Sequence, residues 1–150
     1  MNTSAESRAG ATGRPSLLLH PAFVSIGGSL LIAAFPSDIM YYQTSLMQWA
    51  NASSWLIAGG LVLALVAAIA LLIDLFSGRG RPIDWLNFIL LTAAALMSLA
   101  NAFIHSRDAW TSVVPEGLWL SGIAALLLLV VAFRGWTVTA APIIPRGDRR

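Results

Sequence analysis

Cysteine is absent from the 150 residues, lysine is absent too, and only 11% of positions are charged. Without cysteine there are no disulfides, thiolate metal sites, iron–sulfur ligation or cysteine nucleophiles. The chain also lacks a metal-ligand triad, a phosphate-cradling glycine loop and a nucleophile elbow, so no catalytic residue, no resident metal and no enzyme activity are expected. The scarcity of charge argues against a soluble domain, whose Asp, Glu, Lys and Arg together reach about 25%. The pI of about 9.9 comes from nine arginines spread over the ends of apolar segments, a pattern of membrane topology rather than of nucleic-acid binding.

Apolar residues fill the space left: 57% are hydrophobic and the mean hydropathy is +0.76. Four runs approach the roughly 20 helical residues that one bilayer crossing requires. They cover about 21–39, 55–76, 83–104 and 117–136, and none alternates as a barrel strand does. The expected fold is therefore all-α, an integral membrane four-helix bundle over 17–136 between disordered cytoplasmic tails at 1–16 and 137–150. Pro36 is expected to kink or end span one. Met40, Tyr41, Leu46, Met47 and Trp49 are expected to form a short interfacial helix between spans one and two. Ser25, Gly28 and Ser29 on span one, Gly60, Ala64 and Ala68 on span two, and Ala94 and Ser98 on span three mark expected packing faces.

Arginine placement sets the expected orientation. With four spans, Arg8, Arg14, Arg79, Arg81, Arg134, Arg146, Arg149 and Arg150 share one side, and Arg107 stands alone on the other. Both termini are thus expected in the cytoplasm of a bacterium, with the chain in its inner membrane. Trp85 and Trp136 then fall at the inner interface, and Trp49, Trp55, Trp110 and Trp119 at the outer one.

The few polar residues inside the spans are the candidate sites, because a charge near hydrocarbon is costly unless paired. An inner cluster gathers His20, Asp74, Asp84, Arg79 and Arg81. It reads either as a clamp pinning the helix ends or as a proton- or ligand-handling site, since histidine titrates near neutral pH. An outer cluster gathers Asp38, Asn101, His105 and Arg107, the middle two sharing a helix face by their spacing of four. A haem b held by both histidines is disfavoured: axial nitrogens on one iron stand about 4 Å apart, while His20 and His105 lie nearly a bilayer thickness of about 30 Å apart.

The order of His20-Pro21, Asp38, Asp74, the turn Arg79 to Pro82, Asn101, Arg107 and Gly135-Trp136 resembles the bacterial membrane proteins grouped as domain of unknown function 2231. The resemblance covers about residues 17–136. It implies a four-span bundle of undefined biochemical role, some of whose relatives are joined to Rieske or cytochrome c modules. This chain departs from the pattern at Asn87, where relatives carry a second histidine, and at Thr137-Val138-Thr139, which replaces a glycine-rich end. The leading expectation is a structural or accessory subunit, linked to a membrane redox system. Its partners are the lipid bilayer and another membrane protein or a second copy, with no nucleic acid. The alternatives are a small carrier or proton-handling protein built on the inner cluster, and a b-type haem protein.

Overall fold

The computed structural model of the chain describes residues 20–77, 82–107 and 113–139. These form four helices: α1 His20–Thr44, α2 Met47–Phe76, α3 Trp85–His105 and α4 Glu116–Arg134. All four are long and apolar enough to cross a membrane. Each helix packs on two neighbours, α1 on α2 and α4, and α3 on α4 and α2, so the four close into a ring.

A 3–4 spacing fixes which face of each helix turns inward. On α1 it runs through His20, Val24, Gly27, Leu31, Ala34, Asp38 and Tyr41, all buried. On α3 it runs through Asn87, Ala94, Ser98 and Asn101, also buried. This repeat keeps one seam facing the partner helices, as in other four-helix bundles. The outward faces carry Val62, Leu65, Leu96, Leu126 and Phe133, all exposed, as a lipid-facing surface requires.

Close backbone approach holds α1 to α2. A Cβ built on Gly27 would meet the Gly60 carbonyl oxygen at 3.1 Å, and one on Gly60 would meet Leu31 Cγ at 2.6 Å. Small residues at such a crossing let dispersion act where lipid tails leave little hydrophobic drive. Of the expected stripe on span two, Gly60 and Ala64 lie against Gly27 of α1, Ala68 is exposed, and Ala67 and Leu71 are buried on the same helix. On α1 the expected packing role of Ser25 and Ser29 does not hold. Their hydroxyls donate to Ala22 and Ser25 carbonyls of their own helix.

Three boundary expectations are corrected as well. Pro36 does not end span one: it lies inside α1, which continues to Thr44. The Ser37 hydroxyl donates to the Ala33 carbonyl at 3.1 Å, a local polar contact beside the point where the proline removes a donor. The separate interfacial helix is not formed: its residues belong to the last turn of α1 and the first turn of α2, joined through Ser45 (φ 55°) and Leu46. Thirdly, the chain after α4 is folded as far as the description reaches. Gly135, at φ 89°, reverses it in a conformation open to glycine. Trp136 then inserts against Gly28 and the Leu31–Ala94–Leu128 core rather than lying at an interface. The Val138 carbonyl accepts from the Asp84 amide at 2.8 Å, and Thr139 bridges to Ile83. Residues 140–150 of the expected tail, and 1–19, lie outside the described residues.

Candidate functional site

Two histidine–aspartate pairs close the two ends of the bundle, and α1 contributes one member to each. His20 opens α1 and Asp38 lies 18 residues further on. At a rise of about 1.5 Å per residue they stand about 27 Å apart along the axis, close to the hydrocarbon thickness of about 30 Å. Leu31, Ala94 and Leu128 form an apolar septum between them, with Trp136 packed alongside and an apolar cavity of about 270 Å³ beside it lined by Leu31, Leu91 and Leu128.

At the first end, His20 Nδ1 lies 3.4 Å from Asp74 Oδ2 on α2, the ring fully buried and the carboxylate side chain 20% exposed. His20 Nε2 is buried with no hydrogen-bond partner among the described residues. The expectation that His20 and Asp74 meet is therefore met. Asp84 does not join them. It caps α3 by accepting from the Asn87 amide at 3.2 Å, and pairs with Arg134 at 3.2 Å. Arg79 and Arg81 lie outside the described residues.

Asn87 is the residue this end adds to the expected cluster. Fully buried, it accepts from Arg134 Nε at 2.7 Å and donates to the Gly135 and Thr137 carbonyls at 3.2 and 2.9 Å. It thereby ties α3, the end of α4 and the returning chain into one unit. The signal that finds it is the 3–4 seam: Asn87 lies seven residues before Ala94 and fourteen before Asn101, so it faces inward with both. Arg134 follows the buried Val131 by three on α4, placing it beside the same seam.

The opposite end holds the tighter pair. His105, the last residue of α3, places Nε2 3.1 Å from Asp38 Oδ1, with the side chains 2% and 0% exposed. Its Nδ1 is 3.1 Å from both the backbone oxygen and the side-chain oxygen of Asn101. A backbone oxygen only accepts, so Nδ1 must be the donor. With Nδ1–H fixed, Nε2 and the Asp38 carboxylate would present lone pairs to each other unless a proton lies between them. Asp38 Oδ2 is buried without a hydrogen-bond partner among the described residues.

Around this pair the interior is more polar than at mid-bundle. Ser37, Ser53, Ser98 and Ser121 are all buried in this half. Ser37 and Ser121 bond within their own helices, and Ser53 reaches the Ala34 carbonyl on α1 at 3.5 Å. Arg107 does not pair with Asp38. It lines, with His105, an open cavity of about 420 Å³ at the start of α2. Of the expected outer set, then, Asp38, Asn101 and His105 form one constellation and Arg107 flanks it. Among the described residues no cluster of three or more His, Asp or Glu side chains is placed to hold a metal ion. The 27 Å between the two ends also separates the histidines, so no single iron lies between them.

The family model described as predicted membrane protein (DUF2231) matches residues 17–142. No curated protein and no solved structure matches the chain.

Proposed function

Since this chain belongs to the DUF2231 family of predicted membrane proteins, whose biochemical role is undefined, we propose from its own geometry that it is a membrane-embedded proton-handling protein. The Asp38–His105 pair is its working site. The observation that carries this is the acceptor at each ring nitrogen of His105, Asn101 oxygen at one and Asp38 Oδ1 at the other. A proton between Nε2 and Oδ1 has two resting places within one hydrogen bond, and His105 borders an open cavity. Buried ionisable side chains inside membrane bundles serve such proton relays.

A purely mechanical clamp accounts for less. Structural polar groups buried in proteins are almost always fully partnered, because an unpaired one costs about 1–3 kcal/mol. Here His20 Nε2 and Asp38 Oδ2, one at each end, are left over. The accessory-subunit reading draws on no side chain of this structure. Arginine placement supports a cytoplasmic His20 end, which puts Asp38 and His105 at the non-cytoplasmic face of the membrane.

Potentiometric titration of the protein in detergent micelles tests this against a chain carrying both Asp38→Asn and His105→Gln. Across the full titration the native chain is expected to bind two protons more per molecule, one for the carboxylate and one for the ring. Superimposable curves from two folded proteins would overturn the reading.

A further inference from the structure

The cavity beside His105 has a chemistry of its own that the proton reading leaves unused. Gln48, Asn51 and Ser54 line it from the first two turns of α2, and Arg107 and His105 from the end of α3. Amide, hydroxyl and guanidinium groups converge there, and among the described residues no carboxylate lines the wall. Arg107 makes no ion pair among the described residues. Among the described residues the acidic group near it, Asp38, is turned into its bond with the His105 ring. At about 420 Å³ the cavity lies within the range of small-molecule sites, roughly 300–1,000 Å³.

We infer that this cavity is a binding site for an oxyanion of the phosphate class, with Arg107 as its charge partner and Gln48 and Asn51 as hydrogen-bond donors; the Ser54 hydroxyl donates to the Ala50 carbonyl of its own helix. A guanidinium with no ion-pair partner among the described residues, beside neutral amide donors, recognises planar or tetrahedral oxyanions through paired N–H groups. The α1–α2 hairpin ends at Thr44, six residues and about 9 Å beyond Asp38, so the cavity lies at headgroup depth. Both a soluble phosphate and the phosphate of a lipid headgroup reach that depth.

The inference stands apart from the proton reading, because its charge partner is Arg107 rather than Asp38. A ligand here lies beside His105, whose side chain is 2% exposed. An anion in the cavity therefore favours the arrangement in which the shared proton is on the ring, a consequence that does rest on the proton reading.

The experiment titrates inorganic phosphate into the protein purified in a phosphate-free maltoside detergent, following the thermal midpoint. Phosphorus is assayed in the same preparation for co-purified lipid. Saturable stabilisation by phosphate that Arg107→Gln weakens at least tenfold, and Arg107→Lys weakens less, supports a soluble ligand. Lipid phosphorus that co-purifies with the native chain and is lost from Arg107→Gln supports the lipid source. Asn51→Leu, which fills the cavity without touching the charge, is expected to act as Arg107→Gln does. Neither effect, or binding indifferent to both substitutions, overturns the inference. Phosphate binding that persists in Asp38→Asn while the titratable proton is lost separates the two claims.

Discussion

At the scale of single residues, burial without a partner distinguishes this molecule from a generic span bundle. Asp38 is fully buried, and its one hydrogen bond is to a ring that already donates elsewhere. Removing one member of such a pair is costly because the other is left buried and uncompensated. Asp38→Ala is expected to destabilise the bundle by about 3–5 kcal/mol. Asp38→Asn restores a donor toward Nε2 and is expected to cost about 1–2 kcal/mol. Thermal or denaturant unfolding in detergent micelles ranks the two, and equal losses would show that the pair does no more than fill space. Asp74→Ala at the other end removes a partly exposed carboxylate 3.4 Å from its partner but leaves the buried His20 Nδ1 without its acceptor; its cost is expected to be about 1–3 kcal/mol.

The reach of the sequence differs sharply among these residues. His20 with Asp74, and Asp38 with Asn101 and His105, follow from depth along the spans, because helices of known direction bring equal depths together. Asp84 follows less well. Its depth suits the His20 cluster, yet its position immediately before Trp85 makes it a helix cap, and a cap is turned toward its own first turn. Asn87 escapes a reading by charge because it is neutral, although the heptad seam places it inward.

At the scale of elements, the α1–α2 hairpin and the returning chain after α4 are the two devices that depth and composition do not disclose. The hairpin arises because Met40 to Trp49 has the apolar content of an interfacial segment and also that of two helix ends. Packing of Tyr41, Ala50 and Val113 in one cluster, with Trp49 against it, selects the second. The return of the chain depends on one glycine at positive φ and on the space above another. A Cβ on Gly28 would collide with Trp136 Cζ3. Gly28→Val is therefore expected to expel the indole and cost about 1–3 kcal/mol. In a Trp136→Ala background the same change is expected to cost less, and a double-mutant cycle measures the difference. Additive losses would mean that the two residues do not touch. Asn87→Leu removes the polar links to Arg134, Gly135 and Thr137 together. Hydrogen exchange at the Asp84 amide, which the Val138 carbonyl holds, is expected to quicken.

At the scale of the whole molecule, four crossings and an apolar septum divide the interior into two polar ends facing opposite sides of a membrane. That division was legible from hydropathy and from two histidines at opposite ends of their spans, because bilayer thickness is a constraint no packing detail can relax. Which end faces the cytoplasm is an expectation from arginine placement alone, and the absence of cysteine makes it simple to test. Single cysteines at Ser77 and Ser106, both exposed, are expected to react with an impermeant maleimide from opposite sides. Ser106→Cys labels in right-side-out vesicles and Ser77→Cys in inverted ones. The reverse pattern would exchange the faces without disturbing the pairs.

The proton held between Asp38 and His105 is the centre of this account, and nitrogen NMR of the protein with labelled histidine in bilayers observes it directly. The chain has two histidines, so His20→Gln leaves His105 alone in the spectrum. The account predicts a protonated Nδ1 together with an Nε2 resonance that moves when Asp38 becomes Asn. A bare Nδ1 in the native chain, or an Nε2 indifferent to that substitution, would contradict it.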